Sequence, residues 1–178
     1  VRTLRPSRDV NEEGEIDDVG EEKMELLKQR MRDHGLYALA LSEIRRDGAG
    51  SIDVGDGFTF VFNGAGPTRG VGILLGPEAS RAWRAGGSRT RAPDGGRLLV
   101  CSLKLAGSEG YWHLFSIYGP TLQAAEEDKA NFFSMVQEAY DAYPLSEVVC
   151  ILGDWNCRVG SRADEEPDLW RILGRFGV

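Results

Sequence analysis

Apolar residues recur along this chain with two different spacings, and each spacing predicts a different kind of element. Between residues 21 and 33 the apolar positions Met24, Leu27 and Met31 lie three or four residues apart, which predicts an amphipathic helix. A second, longer helix is predicted over residues 122–143. The apolar stripe of this second helix, which we expect to be buried, comprises Phe132, Phe133, Val136, Tyr140 and Tyr143.

Six shorter apolar or alternating runs have the length and composition of strands. They cover residues 36–41, 58–62, 71–75, 99–105, 111–117 and 147–152. We expect the first and the last of these runs to be buried strands. Glycine-rich segments, such as residues 47–50 and 86–88, separate the runs and predict loops. This order of helices and strands predicts a layered α/β domain, and the hairpin-like connections argue against a purely parallel sheet.

The composition is that of one soluble-type domain in a reducing compartment. A length of 178 residues and a hydrophobic content of 42% are enough for one buried core. No apolar run is long enough to span a membrane, and no signal peptide opens the chain. The cysteines Cys101, Cys150 and Cys157 are too few for a disulfide framework. We therefore expect an intracellular protein, with the nucleus as one candidate compartment, and neither a membrane nor a disulfide-linked partner.

Charge is distributed unevenly along the chain, so the formal net charge of −7 is a poor guide to partners. Residues 9–25 contain nine acidic residues and one base, and the rest of the chain has a net charge of +1. We expect an acidic, flexible loop at about residues 6–20. Residues 69–104 contain seven bases and two acids, which is compatible with a polyanionic partner. The arginines of residues 81–97 are equally compatible with a solvated surface loop.

Polar residues that could carry chemistry follow three of the predicted strands. Glu43 follows the first strand, Tyr118 follows the strand at 111–117, and Asp154 and Asn156 follow the last strand. Side chains two positions apart in an extended segment point the same way, so Asp154 and Asn156 can face one site. Two carboxylates and an amide are a donor set that suits Mg²⁺. The alternative is structural, because Asp-x-Asn is also a common turn-forming pair and Glu43 can be a solvated strand end.

Four blocks in chain order carry a resemblance to a known family. The blocks are Leu41–Arg45 (LSEIR), Gly70–Leu75 (GVGILL), Ser116–Thr121 (SIYGPT) and Leu152–Asn156 (LGDWN). Together they resemble the endonuclease/exonuclease/phosphatase superfamily, and the chain is most similar there to endonuclease domains of non-LTR retrotransposons and to craniofacial development protein 2-like proteins. The resemblance implies one four-layer α/β sandwich of the DNase I-like type over residues 1–178. It covers only the first part of the family's domain, so we expect the fold to be incomplete at its C-terminus.

The resemblance also implies a role for each of the four polar residues. Glu43 matches the family's metal-binding glutamate, for which Mg²⁺ is the expected ion and Mn²⁺ an alternative. Asp154 matches the aspartate that positions or activates the attacking water, and Asn156 matches its partner, which contacts the scissile phosphate. Tyr118 matches a tyrosine near that phosphate. The implied activity is metal-dependent phosphodiester hydrolysis with DNA as the partner, in the form of a nicking endonuclease of a retroelement-type protein.

The sequence departs from the family's pattern in ways that bear on activity. Trp155 stands where relatives have phenylalanine, which exchanges one large aromatic residue for another. The family's general-base histidine belongs to a later block that this chain lacks. His113 lies in the middle of a predicted strand, where a structural or surface role is expected, and His34 lies beside the end of the first helix. We therefore expect the 178-residue chain to be nearly inactive by itself.

Two other functions are compatible with the same residues. A phosphatase or a lipid phosphodiesterase can be built on the same scaffold, because a fold does not determine its substrate. A non-catalytic interaction module is the second alternative, and the missing histidine block favours it. The sequence gives no indication of the oligomeric state or of a target sequence in DNA.

Overall fold

A computed structural model describes residues 18–66, 69–93 and 95–157 of the chain. The helices in these residues are α1 (Asp18–Asp33), α2 (Pro77–Ala85) and α3 (Glu126–Asp141). The strands are β1 (Ala38–Ser42), β2 (Gly48–Asp53), β3 (Thr59–Gly64), β4 (Gly70–Leu75), β5 (Thr90–Arg91), β6 (Leu98–Leu103), β7 (Trp112–Tyr118) and β8 (Val148–Asp154). The predicted acidic loop ends earlier than expected, because residues 18–20 belong to α1. The rest of that loop and the segment from residue 158 onwards lie outside the described residues.

The strands form two four-stranded sheets. The first sheet has the order β1-β4-β3-β2 and is antiparallel throughout. The second has the order β5-β6-β7-β8, in which only the pair β7–β8 is parallel. The prediction that hairpins in the middle of the chain exclude a purely parallel sheet is therefore confirmed. The parallel pair is possible because α3 connects β7 to β8 and returns the chain to the same end of the sheet.

A hydrophobic core fills the space between the two sheets. Val61 and Ile73 of the first sheet pack there with Leu99 and Leu103 of the second, and Trp83 of α2 closes one side of the core. Residues two positions apart on each strand point to this core, while those between them point away from it. The alternation seen in the sequence thus assigns every central strand one face in the inner core and one face outside.

The outer face of each sheet is covered by a helix. Met24 and Met31 of α1 pack on the phenylalanines of β3, and Phe132 and Val136 of α3 pack on β6 and β7 around Phe115. The layers are therefore helix, sheet, sheet and helix, which confirms the four-layer α/β sandwich. None of the described helices is both long enough and apolar enough to cross a membrane.

Three elements were not predicted, one of which is the two-residue strand β5 (Thr90–Arg91). Residues 48–53 form the exposed strand β2, although the glycines there predicted a loop, because hydrogen bonds to β3 stabilise a segment that has almost no apolar face. Residues 77–85 form α2, although the arginine-rich segment was expected to be a loop. The helix had a signal: a proline suited to the first turn, followed by Ala79, Ala82 and Trp83 at helical spacing.

Three predictions of burial were wrong. Strands β1 and β8 are only partly buried, because each lies at the edge of its sheet in the part that the structure describes. On α3, Phe132 is buried, but Phe133 is 49% exposed and Tyr140 is 39% exposed. The helix presents only a narrow stripe to the sheet, and the wider stripe read from the sequence extends onto its solvent side.

The two neighbouring phenylalanines of α3 provide a direct test of this packing. Phe132→Ala should lower the free energy of unfolding by about 3–5 kcal/mol, because it leaves a cavity under the helix. Phe133→Ala should cost less than about 2 kcal/mol, since half of that side chain already contacts water. Urea denaturation followed by circular dichroism measures both changes. Equal losses in the two variants would contradict the packing described here.

Candidate active site

The ends of three strands meet at one edge of the sandwich. Strand β1 ends next to Glu43, and the parallel strands β7 and β8 end at Tyr118 and Asp154, which are directly paired in the ladder. The hydroxyl of Ser116 on β7 donates a hydrogen bond of 3.4 Å to the carbonyl oxygen of Leu41 on β1. This bond connects the two sheets directly beneath the strand ends, so polar residues from both sheets face the same space.

Two glycines allow β7 and β8 to remain close at their ends. A Cβ atom on Gly119 would overlap the carbonyl oxygen of Trp155, and one on Gly153 would overlap that of Ile117. Gly153 also has a φ of +133°, which other residues rarely adopt. The amide of Gly119 donates a hydrogen bond of 2.7 Å to the carbonyl oxygen of Asp154. The ladder therefore continues to its last residue and fixes Asp154 beside Tyr118.

Glu43 and Tyr118 form the central contact of the site. The hydroxyl of Tyr118 donates a hydrogen bond of 2.8 Å to Oε1 of Glu43, across 75 positions of the chain. Burial, followed by this hydrogen bond and by the charges of Glu43 and Asp154, raises the pKa of Tyr118 above its ordinary value of 10.0, and Asn156 partly offsets the rise. The phenol therefore remains protonated and can donate a hydrogen bond throughout the physiological pH range.

Asp154 and Asn156 are held by the loop that follows β8. Oδ1 of Asp154 accepts a hydrogen bond of 2.9 Å from the amide of Asn156, and Nδ2 of Asn156 donates one of 2.8 Å to the carbonyl oxygen of Gly119. Between them, the ring of Trp155 lies 6.3 Å from the ring of Phe133 and stacks on it. The aromatic residue thus packs against α3, while hydrogen bonds hold Asp154 and Asn156 to each other and to the loop after β7.

Backbone conformation is unusual at two of these residues. Glu43 has a φ of 55° and Asn156 a φ of 49°, in the left-handed region that residues other than glycine seldom occupy. Arg45 has a φ of 51°. Such positions cost of order 1–3 kcal/mol each and persist where the surrounding structure imposes them. Their presence on both sides of the site favours a functional interpretation of these residues over that of an ordinary turn.

Arginines supply positive charge around the carboxylates. Nη1 of Arg97 donates a hydrogen bond of 2.9 Å to the carbonyl oxygen of Tyr118, and its guanidinium lies 5.6 Å from the centre of the tyrosine ring. Burial and the nearby charge of Arg69 both lower the pKa of Arg97. Nη2 of Arg45 lies 3.8 Å from Oε2 of Glu43. Two like charges, those of Arg69 and Arg97, are thus kept close together, an arrangement that a bound anion would stabilise.

The donor set fits a hard cation that is held by few protein ligands. One oxygen of Glu43 is taken by Tyr118, but the side chain is 41% exposed and its other oxygen is only 3.8 Å from an arginine. Asp154 is exposed, and one of its oxygens has no partner among the described residues. No group of three or more His, Cys, Asp or Glu side chains in the described residues could enclose a metal ion. Two carboxylates that are open to solvent leave room for water beside a divalent cation.

Comparison with known proteins agrees with this architecture. Craniofacial development protein 2 of Bos taurus is 26% identical over 165 residues, which covers 88% of this chain and 24% of that protein. The protein of the same name from Tragulus javanicus is 26% identical over 157 residues, with 88% and 25% covered. A crystal structure of humanized D. rerio TDP2 superposes with a TM-score of 0.52 at 14% identity, covering 89% of this chain and 66% of that one. These similarities support an assignment to the endonuclease/exonuclease/phosphatase superfamily.

The similarity to known proteins covers only part of their length. No family model matches the sequence. The chain spans about a quarter of the length of the curated relatives that it matches. The resemblance to craniofacial development protein 2-like proteins and the DNase I-like fold are both confirmed.

The structure adds residues to the candidate active site that the sequence analysis did not select. Arg97 was counted only as part of a basic segment, and Gly119 only as part of a motif. The signal for Arg97 lay in its position directly before β6, whose partner strand ends in Tyr118. The two histidines lie elsewhere: His34 follows α1 and is exposed, and His113 is buried near the opposite end of β7.

The raised pKa of Tyr118 can be measured. In the wild type, Tyr118 should ionise above pH 10, and Glu43→Gln should lower its pKa because the neighbouring negative charge is removed. A tyrosine whose pKa is higher in the folded than in the unfolded protein contributes stability that is fully present below its unfolded-state pKa. This contribution is lost as the pH rises through its folded-state pKa. Ultraviolet difference titration of the wild type against Tyr118→Phe isolates this tyrosine. Glu127→Gln, at an exposed position on α3, is the control, and an equal shift in both glutamine variants would contradict the Glu43 contact.

Proposed function

We propose that this site performs metal-dependent hydrolysis of phosphodiesters, with DNA as the substrate. The observation that carries the proposal is the hydrogen-bonded pair of Glu43 and Tyr118 beside Asp154 and Asn156, in contact with Arg97. One group of strand ends thus contains carboxylates for a cation, a neutral amide donor for phosphate oxygens and a guanidinium for negative charge. The relatives and the structural neighbour support a phosphodiesterase or nuclease type of activity at the level of the superfamily.

Each side chain has a role that its contacts support. Glu43 and Asp154 would hold Mg²⁺, with Mn²⁺ as an alternative, and the bound ion would neutralise the phosphate and stabilise the leaving oxygen. The amide of Asn156 would orient a phosphate oxygen, and Tyr118, whose hydroxyl proton is donated to Glu43, would hold that carboxylate in place near the phosphate. Arg97 would bind the negative charge of the phosphate. Asp154 would accept a hydrogen bond from the attacking water.

Within residues 18–66, 69–93 and 95–157, no histidine lies at the site to act as a general base. His34 and His113 are the histidines of the sequence, and neither lies at the site. Without a base the attacking water must lose its proton to solvent, which typically costs about 10²–10⁴ in rate. We therefore propose that residues 1–178 bind and polarise a phosphodiester but hydrolyse it slowly.

The arginines of residues 69–104 are divided between two places. Arg69 and Arg97 lie at the site, whereas Arg89 and Arg91 line a cavity near the other end of the second sheet. Arg84 pairs with Asp53. The arginines of this segment therefore do not form one surface at the site. Nucleic acid would thus contact few arginines there, and we expect weak, salt-dependent binding of duplex DNA.

Slow hydrolysis limited by a missing base should be rescued by an added base. With Mg²⁺, nicking of supercoiled plasmid by the purified chain should be slow and should accelerate when imidazole is added at neutral pH. Glu43→Gln and Asp154→Ala should abolish both rates, because they remove the proposed metal ligands, while Glu127→Gln should retain them. Agarose gel electrophoresis of the nicked form measures the rate.

Three outcomes would count against the proposal. Rapid nicking without imidazole, lost in Asp154→Ala, would show that the base is already present. Hydrolysis of inositol phosphates in place of plasmid would favour the small-phosphoester alternative. The absence of both activities with imidazole and Mg²⁺ would favour a non-catalytic interaction module.

Binding of DNA should depend on the arginines at the site. Arg97→Gln and Arg69→Gln should each weaken binding to duplex DNA and reduce the slope of log K against log salt by about 1, because each removes one phosphate contact. Arg81→Gln on the exposed side of α2 is the matched control and should leave the slope unchanged. Fluorescence anisotropy over a salt series measures this. Identical slopes for all three variants would contradict a role for the site arginines.

A further inference from the structure

A cavity lies near the opposite end of the second sheet from the candidate active site. It is formed by β5, the starts of β7 and β8, and the turn after α3, and it has a volume of about 360 Å³. Its lining includes two arginines, Arg89 and Arg91, and two tyrosines, Tyr111 and Tyr143. Three further polar residues, Ser102, His113 and Glu147, complete the polar part of the lining. None of these residues belongs to the site of Glu43 and Asp154.

The floor of the cavity is a closed hydrogen-bond network. Nδ1 of His113 is 2.9 Å from the hydroxyl of Ser102, and its Nε2 is 2.8 Å from Oε2 of Glu147. The other oxygen of Glu147 accepts a hydrogen bond of 3.0 Å from the amide of Tyr111. These two bonds, chiefly that from His113, lower the pKa of Glu147. The only acidic side chain in the lining is therefore ionised and already paired.

The arginines of the lining are not paired in this way. Among the described residues, the guanidinium groups of Arg89 and Arg91 have no carboxylate partner and donate no hydrogen bond. Arg89 lies over the ring of Tyr111, 4.8 Å from its centre. Arg91 is close enough to Tyr143 for its charge to lower the pKa of that hydroxyl, although burial raises the pKa overall. The cavity thus has a surplus of positive charge and of hydrogen-bond donors, which is the requirement for an anion.

The size and the walls of the cavity indicate what carries the anion. A volume of 360 Å³ lies in the range of small-molecule sites, about 300–1,000 Å³, and leaves room beside a phosphate group for an organic part. The rings of Tyr111, His113 and Tyr143 stack in series, with centroids 6.3 Å and 3.6 Å apart. Arg89 and Lys104 already lie over the ring of Tyr111, 4.8 Å and 5.2 Å from its centre, so Tyr143 is the ring of this wall on which a planar organic group would stack.

We propose that this cavity binds a small organic phosphate monoester whose organic part is planar, with Arg89 and Arg91 holding the phosphate. A nucleoside 5′-monophosphate represents this chemical class. The tyrosine wall binds the planar part, and the Ser102–His113–Glu147 network keeps that wall rigid. The site is independent of the proposed hydrolysis, because it shares no side chain with the candidate active site.

Isothermal titration calorimetry with three probes tests the site. Deoxyadenosine 5′-monophosphate should bind at least about tenfold more tightly than inorganic phosphate, which lacks the planar part, and than deoxyadenosine, which lacks the charge. Arg91→Gln and Arg89→Gln should each weaken the binding of the nucleotide by about tenfold or more, because a charge-assisted hydrogen bond is lost. Both arginines lie at the mouth of the cavity outside the hydrophobic core, and thermal unfolding checks that the variants remain folded.

Variants elsewhere separate this site from the proposed active site. Arg81→Gln, Arg97→Gln and Asp154→Ala should bind the nucleotide as the wild type does. Loss of binding in Arg97→Gln or Asp154→Ala, with full binding in Arg91→Gln, would place the nucleotide at the active site and overturn the proposal. Equal affinity for phosphate and nucleotide would overturn the assignment of a planar ligand. No heat of binding with any probe at millimolar concentration would overturn the site altogether, without bearing on plasmid nicking.

Discussion

The close parallel pairing of β7 and β8 is the constraint on which the described structure depends most. The two strands remain paired up to Tyr118 and Asp154 because Gly119 and Gly153 leave room for neighbouring backbone. At this end the pairing aligns a tyrosine, an aspartate and, through the next loop, an asparagine. Because both strands run the same way, their other ends also lie together, and there they form the wall and floor of the cavity around His113. One pair of strands thus supports both candidate sites.

The sequence was informative wherever a pattern reflects local geometry. Strand periodicity identified six of the eight described strands, and polar residues after strands identified Glu43 and Tyr118, which the structure joins by a hydrogen bond. The sequence was misleading wherever the structure of a segment depends on contacts with another element. Strand β2 has no apolar face of its own and exists because β3 pairs with it. The exposure of β8 depends on its place at a sheet edge, which no local pattern encodes. Arg97 and the cavity were missed because their partners lie far away along the chain.

The arrangement of the arginines has a physical consequence for both sites. A segment with seven bases looks uniform in the sequence, but β5 and the loop after it run back along β6, so Arg89 lies beside Ser102 and Arg97 beside Tyr118, near opposite ends of the strand. Charges separated in this way do not form one continuous surface for a polyanion, since exposed charges beyond about 8–10 Å are largely screened. Each group is better suited to a single phosphate than to a long track of them.

Stability and chemistry compete at the candidate active site. Glu43 and Asn156 occupy left-handed backbone conformations, which cost free energy, and burial together with the charge of Arg69 lowers the pKa of Arg97. The sandwich can tolerate this because its inner core and both helix layers are built from residues that take no part in the site. A phosphate with its cation would relieve the repulsion between the arginines and occupy the free carboxylate oxygens. The backbone strain and the close positive charges at these strand ends would therefore increase their affinity for a charged phosphodiester. This is the physical reason to regard the strand ends as a binding site and not as a turn.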